Sequence, residues 1–348
     1  MPLTSQSIKN EARRLGFTLA GITTPESPPH LSVYENWLSL GRQGSMDYLA
    51  SERARACRSN PRLILPECKS ILVLAVRYPD PKTVVGVENA NPTGRVAAYA
   101  WGQDYHLVLP ERLKALTTFI EAQVGGPIPH REYTDTGPVL ERELAQRAGL
   151  GWIGKNTCLI NPQLGSYFLL AEILLGIELE PDTPFTSDHC GTCTRCIEAC
   201  PTGCILPDRT LDSRRCISYL TIENKGEIPP DLRAALGNWV FGCDICQMVC
   251  PWNRFVEMTY DQAFAPRPDF KKLDLKNELG LTAQEFNQKF KGSPILRARR
   301  RGYLRNVAVA LGNTGNPLAI PSLERAAQGD ESLIREHAAW ALEQIPNS

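Results

Sequence analysis

Hydrophobic and polar positions recur with clear periods along the first half of the chain, and each period predicts an element. In the opening segment MPLTSQSIKNEARRLGF, Ile8, Ala12 and Leu15 share one face of an amphipathic helix. SILVLAVRY, Ser70 to Tyr78, is a continuous apolar run of the kind that forms a buried strand. HLVLPERLKALTTFIEAQV, His106 to Val124, has a helical period, with Pro110 placed in the first turn, where a missing N–H costs little. PIPHREYTD leads to a strand ending near Asp135. GPVLERELAQRAGLG gives a helix stopped by glycines, with Arg142 and Arg147 toward its end. NTCLINPQLGSYFLLAEI reads as two strands around an Asn-Pro turn with Gly165. This half is α/β or α+β; periodicity leaves its topology open.

Beyond residue 180 the periods lapse. Residues 181–258 are cysteine-rich short helices and turns, and AFAPRPDFKK is a proline-bearing linker. From about 282 the chain is helical. LRNVAVALGNTG and REHAAWALEQIP share a pattern, with the amphipathic PLAIPSLERAA between them. Two readings fit: a HEAT-like helical repeat, or a helical hairpin capping the main core. The domains expected are 1–180, 181–258 and 259–348, the last including the linker.

The chain has 348 residues, 43% of them hydrophobic, which suffices for a large core in two or three domains. Lys and Arg balance Asp and Glu at 38 each, so nucleic-acid contact needs a local patch. One candidate is KGSPILRARRRGYLR, Lys291 to Arg305, with six basic residues and no acid; the plainer reading is a solvated helix face. The N-terminus lacks the apolar core of a signal peptide. The most apolar stretch, YFLLAEILLGI, is broken by Glu172 and too short to span a bilayer. A cytoplasmic protein without a membrane partner is expected, and twelve cysteines there point to metal ligation rather than disulfides.

DHCGTCTRCIEACPTGCI places Cys190, Cys193, Cys196 and Cys200 at C-x2-C-x2-C-x3-C, followed by Pro201. In two-cluster ferredoxins the fourth cysteine of such a run binds the other cluster, so a second set is required. FGCDICQMVCPW supplies Cys243, Cys246 and Cys250, and Cys216 stands in for the missing leading cysteine. One [4Fe–4S] cluster is assigned Cys190, Cys193, Cys196 and Cys250; the other takes Cys200, Cys216, Cys243 and Cys246. Structural zinc prefers separate CxxC pairs and fits this spacing poorly. Cys204 reads as packing, and Cys57, Cys68 and Cys158 are too scattered for a third cluster.

YTDTGPVLERELAQRAGLGWIGKNTCLINPQLGSYFLLAEI, with AYAWGQDYHLVL, CISYLTIENKGEIP and FGCDICQMVCPWN, closely resembles epoxyqueuosine reductase over nearly the whole chain. The resemblance implies two [4Fe–4S] clusters, a cobalamin, and reduction of epoxyqueuosine to queuosine at the wobble position of tRNA anticodons. It implies that Asp135 is the proton donor and lies on the cofactor side, with Arg58, Asn156, Cys158, Ser218 and Asp244 contacting the corrin. On the residues alone Asp135 has a second reading, as the N-cap of the following helix. As a donor at neutral pH it needs burial to raise its pKa. Lys155 would meet a phosphate or corrin amide, or be solvated. In DYHLVL, Leu109 replaces the glycine of the usual cobalamin box, so His106 is expected to be structural or capping rather than a lower-face ligand. The protein would be a monomer fed by an external donor of flavodoxin or ferredoxin type. The alternatives are a corrinoid reductive dehalogenase and a ferredoxin-like carrier fused to a helical binding module.

Overall fold

The computed structural model describes residues 3–83, 93–254, 256, 259–268 and 273–346. Among the described residues the strands are β1 (Leu19–Thr23), β2 (Ser70–Arg77), β3 (Arg95–Val96), β4 (His130–Tyr133), β5 (Trp152–Ile153), β6 (Leu159–Ile160), β7 (Phe168–Leu175) and β8 (Trp239–Phe241). Four of them form an antiparallel sheet in the order β1-β2-β7-β4, so the first half is α+β. Every residue of β2 is buried, because helices cover both faces of the sheet. On one face Leu72, Leu74, Ala171 and Ile173 pack with Ile8 and Ala12 of the Ser5–Arg14 helix and Leu109, Leu113 and Leu116 of the Tyr105–Val124 helix. On the other, Ile71, Val73 and Leu174 meet Leu144 and Ala145 of the Glu141–Arg147 helix and Ala148 beyond it. Gly21 permits this closeness: a Cβ there would sit 2.1 Å from the Ala148 carbonyl oxygen.

Two expectations change here. The long helix begins at Tyr105, capped by the Asp104 side chain, so Pro110 falls in its second turn. The two strands around Asn161 and Gly165 exist, and those two residues exchange backbone hydrogen bonds. However, β6 pairs with β5 and not with β7.

The cysteine-rich segment contains short helices, Arg195–Glu198, Ile217–Ile222 and Ile245–Met248. Strand β8 joins it to the first half by parallel pairing with β3. The C-terminal helices Arg299–Thr314, Ile320–Ala327 and Ser332–Glu343 share a core with Val240 and Phe241 of β8. Gly312 lets the first meet the third, since a Cβ there would lie 2.7 Å from Ala341 Cα. Part of the proline-bearing linker, 269–272, lies outside the described residues.

Candidate active site and cysteine centres

Cys190, Cys193, Cys196 and Cys250 line one cavity of about 280 Å³, with Ile160, His189 and Trp252 among its walls. The sequence pairing of Cys250 with the earlier run is thus met in space. Among the described residues no three His, Cys, Asp or Glu side chains converge on a single-ion site; these thiols ring a cavity instead. That arrangement suits a polynuclear cluster better than one tetrahedral ion. Trp152 donates from Nε1 to Cys190 Sγ at 3.5 Å, and Phe185, His189 and Trp252 pack around its ring. Lys155 is neither a solvated cation nor free for a phosphate: its Nζ donates to the carbonyls of Gly191 and Cys193 at 2.7 and 3.0 Å, which ties down this cysteine loop.

The second group is larger than its sequence assignment. Cys200, Cys216, Cys243 and Cys246 lie close enough to act on one another. Cys204, read as packing, is buried, but its sulfur is 3.4 Å from Cys200 Sγ and also meets Cys216. The contact between the two sulfurs, with help from Thr202, lowers Cys200 to about 4 and favours its thiolate. Cys158 likewise meets the Cys246 sulfur, so it is not a mere core residue.

Asp135 follows β4 with a left-handed backbone, φ 57°. It does not cap the next helix, which starts at Glu141 after Leu140. Instead its Oδ2 accepts from the Tyr105 hydroxyl at 2.7 Å and lies 3.6 Å from His106 Nε2, while its N–H donates to Glu141 Oε1 at 2.7 Å. About half of its side-chain surface, 51%, stays accessible. Burial pushes the carboxyl up, but the contacts of His106 and Tyr105 outweigh it, so Asp135 is held below the usual carboxylate range and not raised as expected. His106 is more than structural. Burial opposes its charge, but Asp104, 2.8 Å from Nδ1, and Asp135 lift it to about 9. A charged His106 therefore faces an ionised Asp135.

Arg142 donates to the Thr157 carbonyl at 2.6 Å, linking the helix after Asp135 to the Asn156–Cys158 loop. Asn156 Oδ1 accepts the Cys158 N–H at 3.2 Å; its Nδ2 is buried without a partner among the described residues. Asp244 is buried, accepts the Ala98 N–H at 2.7 Å, and is raised by burial to about 7. Both Asp135 and Asp244 act on Tyr99. Arg58 is buried with its guanidinium 5.6 Å from the Tyr34 ring centre and acts on Glu141. Ser218 is half-buried on the helix directly after Cys216.

The basic run Lys291–Arg305 is not one solvated stripe. Arg305 is 0% exposed and donates to the carbonyls of Leu220, Asn224 and Gly226. Arg300 is paired with Glu331, and Tyr303 is buried against Glu278. Arg297 pairs with Glu223 at 2.5 Å and acts on Asp135, so it belongs to the active-site surroundings. Lys291, Arg299 and Arg301 remain exposed.

Paired cysteine centres leading to an acid-bearing site define an iron–sulfur oxidoreductase. Residues 189–253 match the model of a 4Fe-4S double cluster binding domain, and residues 58–136 match that of epoxyqueuosine reductase QueG. The chain belongs to the epoxyqueuosine reductase family. It is 43% identical to the enzyme of Pseudomonas aeruginosa over 97% of this chain and 93% of that one. It is 39% identical to the Escherichia coli enzyme over 98% of this chain and 89% of that one. Among solved structures, an epoxyqueuosine reductase with an epoxyqueuosine-modified tRNA-Tyr stem loop matches with a TM-score of 0.87 at 32% identity, covering 98% of this chain and 90% of that one. The Bacillus subtilis enzyme, solved with its catalytic aspartate loop swung out of the active site, matches with a TM-score of 0.88 at 32% identity over the same shares. No described helix is long and apolar enough to cross a membrane.

Proposed function

We propose that this protein reduces epoxyqueuosine to queuosine in the anticodon of tRNA. Asp135, ionised at rest, acts as proton donor by passing on the proton that charged His106 holds beside it, and two [4Fe–4S] clusters and a cobalamin, when bound, would supply the electrons. The observation that carries the reading is the placement of Asp135, half-exposed between Tyr105, His106 and Glu141, in a chain related to epoxyqueuosine reductases over nearly its full length. The cluster ligands are the two cysteine quartets assigned above, with Cys204 and Cys158 as neighbouring thiols. The donor set also suits a corrin: Asn156 Nδ2 and the Tyr167 hydroxyl are buried without partners among the described residues, and the amide-rich rim of a corrin would accept from both. Arg58, Cys158, Ser218 and Asp244 complete that side. Clusters and cobalamin, when bound, supply low-potential single electrons.

The protein's own part is proton handling and placement. Opening the epoxide to an alkene consumes two electrons and two protons and releases the oxygen as water. His106, charged at neutral pH, stands behind Asp135 as a proton store, and Tyr105 fixes the carboxyl. Arg297 adds positive charge where the oxygen leaves. The C-terminal helices form a HEAT-like unit whose exposed Lys291, Arg299 and Arg301 meet the RNA backbone. The working domains are 1–180, 181–258 and 259–348, in a monomer served by a flavodoxin- or ferredoxin-type donor.

The test is anaerobic purification, addition of cobalamin, and spectra with and without reductant, followed by tRNA carrying epoxyqueuosine. Conversion to queuosine is expected. A protein that binds no corrin rules out this reading and the dehalogenase alternative together. Asp135→Asn should keep cluster and corrin spectra while losing at least about a hundredfold in kcat; normal turnover would reassign the donor.

A further inference from the structure

The cysteine-rich segment holds one thiol more than its two quartets use. Cys204 ends the run CPTGC, four residues after Cys200. Gly203, at φ 60°, donates its N–H to the Cys200 carbonyl at 3.1 Å, and this turn folds Cys204 back toward Cys200. Cys204 is then fixed in place. Its carbonyl accepts the Asp212 N–H at 2.9 Å, and the next residue, Ile205, forms a β-bridge with Leu211. The result is a sulfur 3.4 Å from Cys200 Sγ, on a residue only 3% exposed. The hydroxyl of Thr202, also buried, lies 3.5 Å from the same Cys200 sulfur.

Between two free thiols, or a thiol and a hydroxyl, either partner can donate. Iron ligation removes that choice. A thiolate bound to iron has no proton to give, so Cys200 accepts from both neighbours. Cys204 is shielded from water, and a thiol enclosed beside negatively charged sulfur keeps its proton. The two quartets already fill both clusters without it. Hydrogen bonds to the sulfurs are one of the quantities that set a cluster's reduction potential. A donor stabilises the reduced cluster more than the oxidised one, because the reduced cluster carries the extra negative charge.

We propose that Cys204 binds no iron and instead tunes the second cluster: its thiol donates to the Cys200 sulfur and raises that cluster's reduction potential. This rests on the reading that Cys200 holds a cluster. Cys204 acts through Cys200 and carries no electron itself. The first quartet has a different donor, Trp152 Nε1 on Cys190 Sγ at 3.5 Å, so its potential serves as an internal reference.

The test is a redox titration of the anaerobically reconstituted full-length protein, followed by electron paramagnetic resonance, with iron measured on the same samples. Cys204→Ala should keep the wild-type iron content and lower one midpoint. That cluster should become about threefold to tenfold harder to reduce, which for one electron is about 30 to 60 mV. The other midpoint should stay in place. Cys204→Ser, which keeps a hydroxyl donor, should recover at least half of the shift. Unchanged midpoints in Cys204→Ala overturn the proposal. So does an equal shift in the Ala and Ser variants, which would make the effect one of packing. Loss of one cluster's iron in Cys204→Ala overturns it as well, since Cys204 would then be a ligand. The ligand reading is checked separately by adding Cys200→Ala to Cys204→Ala. The double variant should lose the iron of one cluster; full iron content would withdraw Cys200 from the ligand set and this role with it.

Discussion

Asp135 and His106 hold each other's charge, and that makes stability depend on pH in a stated direction. The folded His106 value is raised to about 9, above its ordinary value of about 6.5. Its contribution is fully present below about 6.5 and is lost as pH rises through about 9. The thermal midpoint should therefore decline across that window, and His106→Asn should flatten the decline; an equally steep fall in the variant would show that another group is responsible. The cysteine pattern was legible in the sequence because its spacing carries its chemistry, whereas Asp135 was singled out by the resemblance, its residues alone leaving proton donor and helix cap both open. The Asp135–His106 contact was not legible, since it forms only when β4 and the Tyr105–Val124 helix pack on one sheet.

At the scale of elements, the segment from Lys291 to Arg305 shows how charge counting misleads. Its residues look alike in sequence and have opposite fates: Arg305 is sealed in a cage of carbonyls, while Arg301 is exposed. Arg305→Met should cost about 3 kcal/mol in denaturant unfolding, because three carbonyls, that of Leu220 fully buried, lose a charged donor. Arg301→Ala should change stability by no more than about 0.5 kcal/mol. It should weaken tRNA binding and reduce the salt slope by about one. Arg301→Ala with unaltered binding would remove that residue from the RNA face. The Ser5–Arg14, Tyr105–Val124 and Glu141–Arg147 helices, the buried strand β2 and the turn at Asn161 were readable from periodicity and turn residues, while the helices Leu31–Ser39 and Glu52–Ser59 were not. The pairing of β6 with β5 was not, because short strands carry too little pattern to choose a partner.

The whole molecule is held together by side chains that reach across its regions. Arg297 from the C-terminal part pairs with Glu223 and acts on Asp135. His337 of the last helix accepts the Ile228 N–H at 3.1 Å and contacts the Leu333 carbonyl at 2.7 Å, which seats that helix on the cysteine-rich segment. The site is thus assembled from all three stretches of chain. Composition suggested several domains, and it gave no sign that they meet at one aspartate.

In the proposed ligand assignment Cys200, a single helical turn after Cys196, joins the other quartet, and Cys250 crosses back the opposite way. Chelation should consequently behave like pulling one link from a two-link chain. Once either centre opens, the segment framing its partner slackens as well. Iron content measured during slow chelation should divide the population into fully loaded and fully stripped molecules, and a long-lived half-loaded species would mean that the two quartets are mechanically independent.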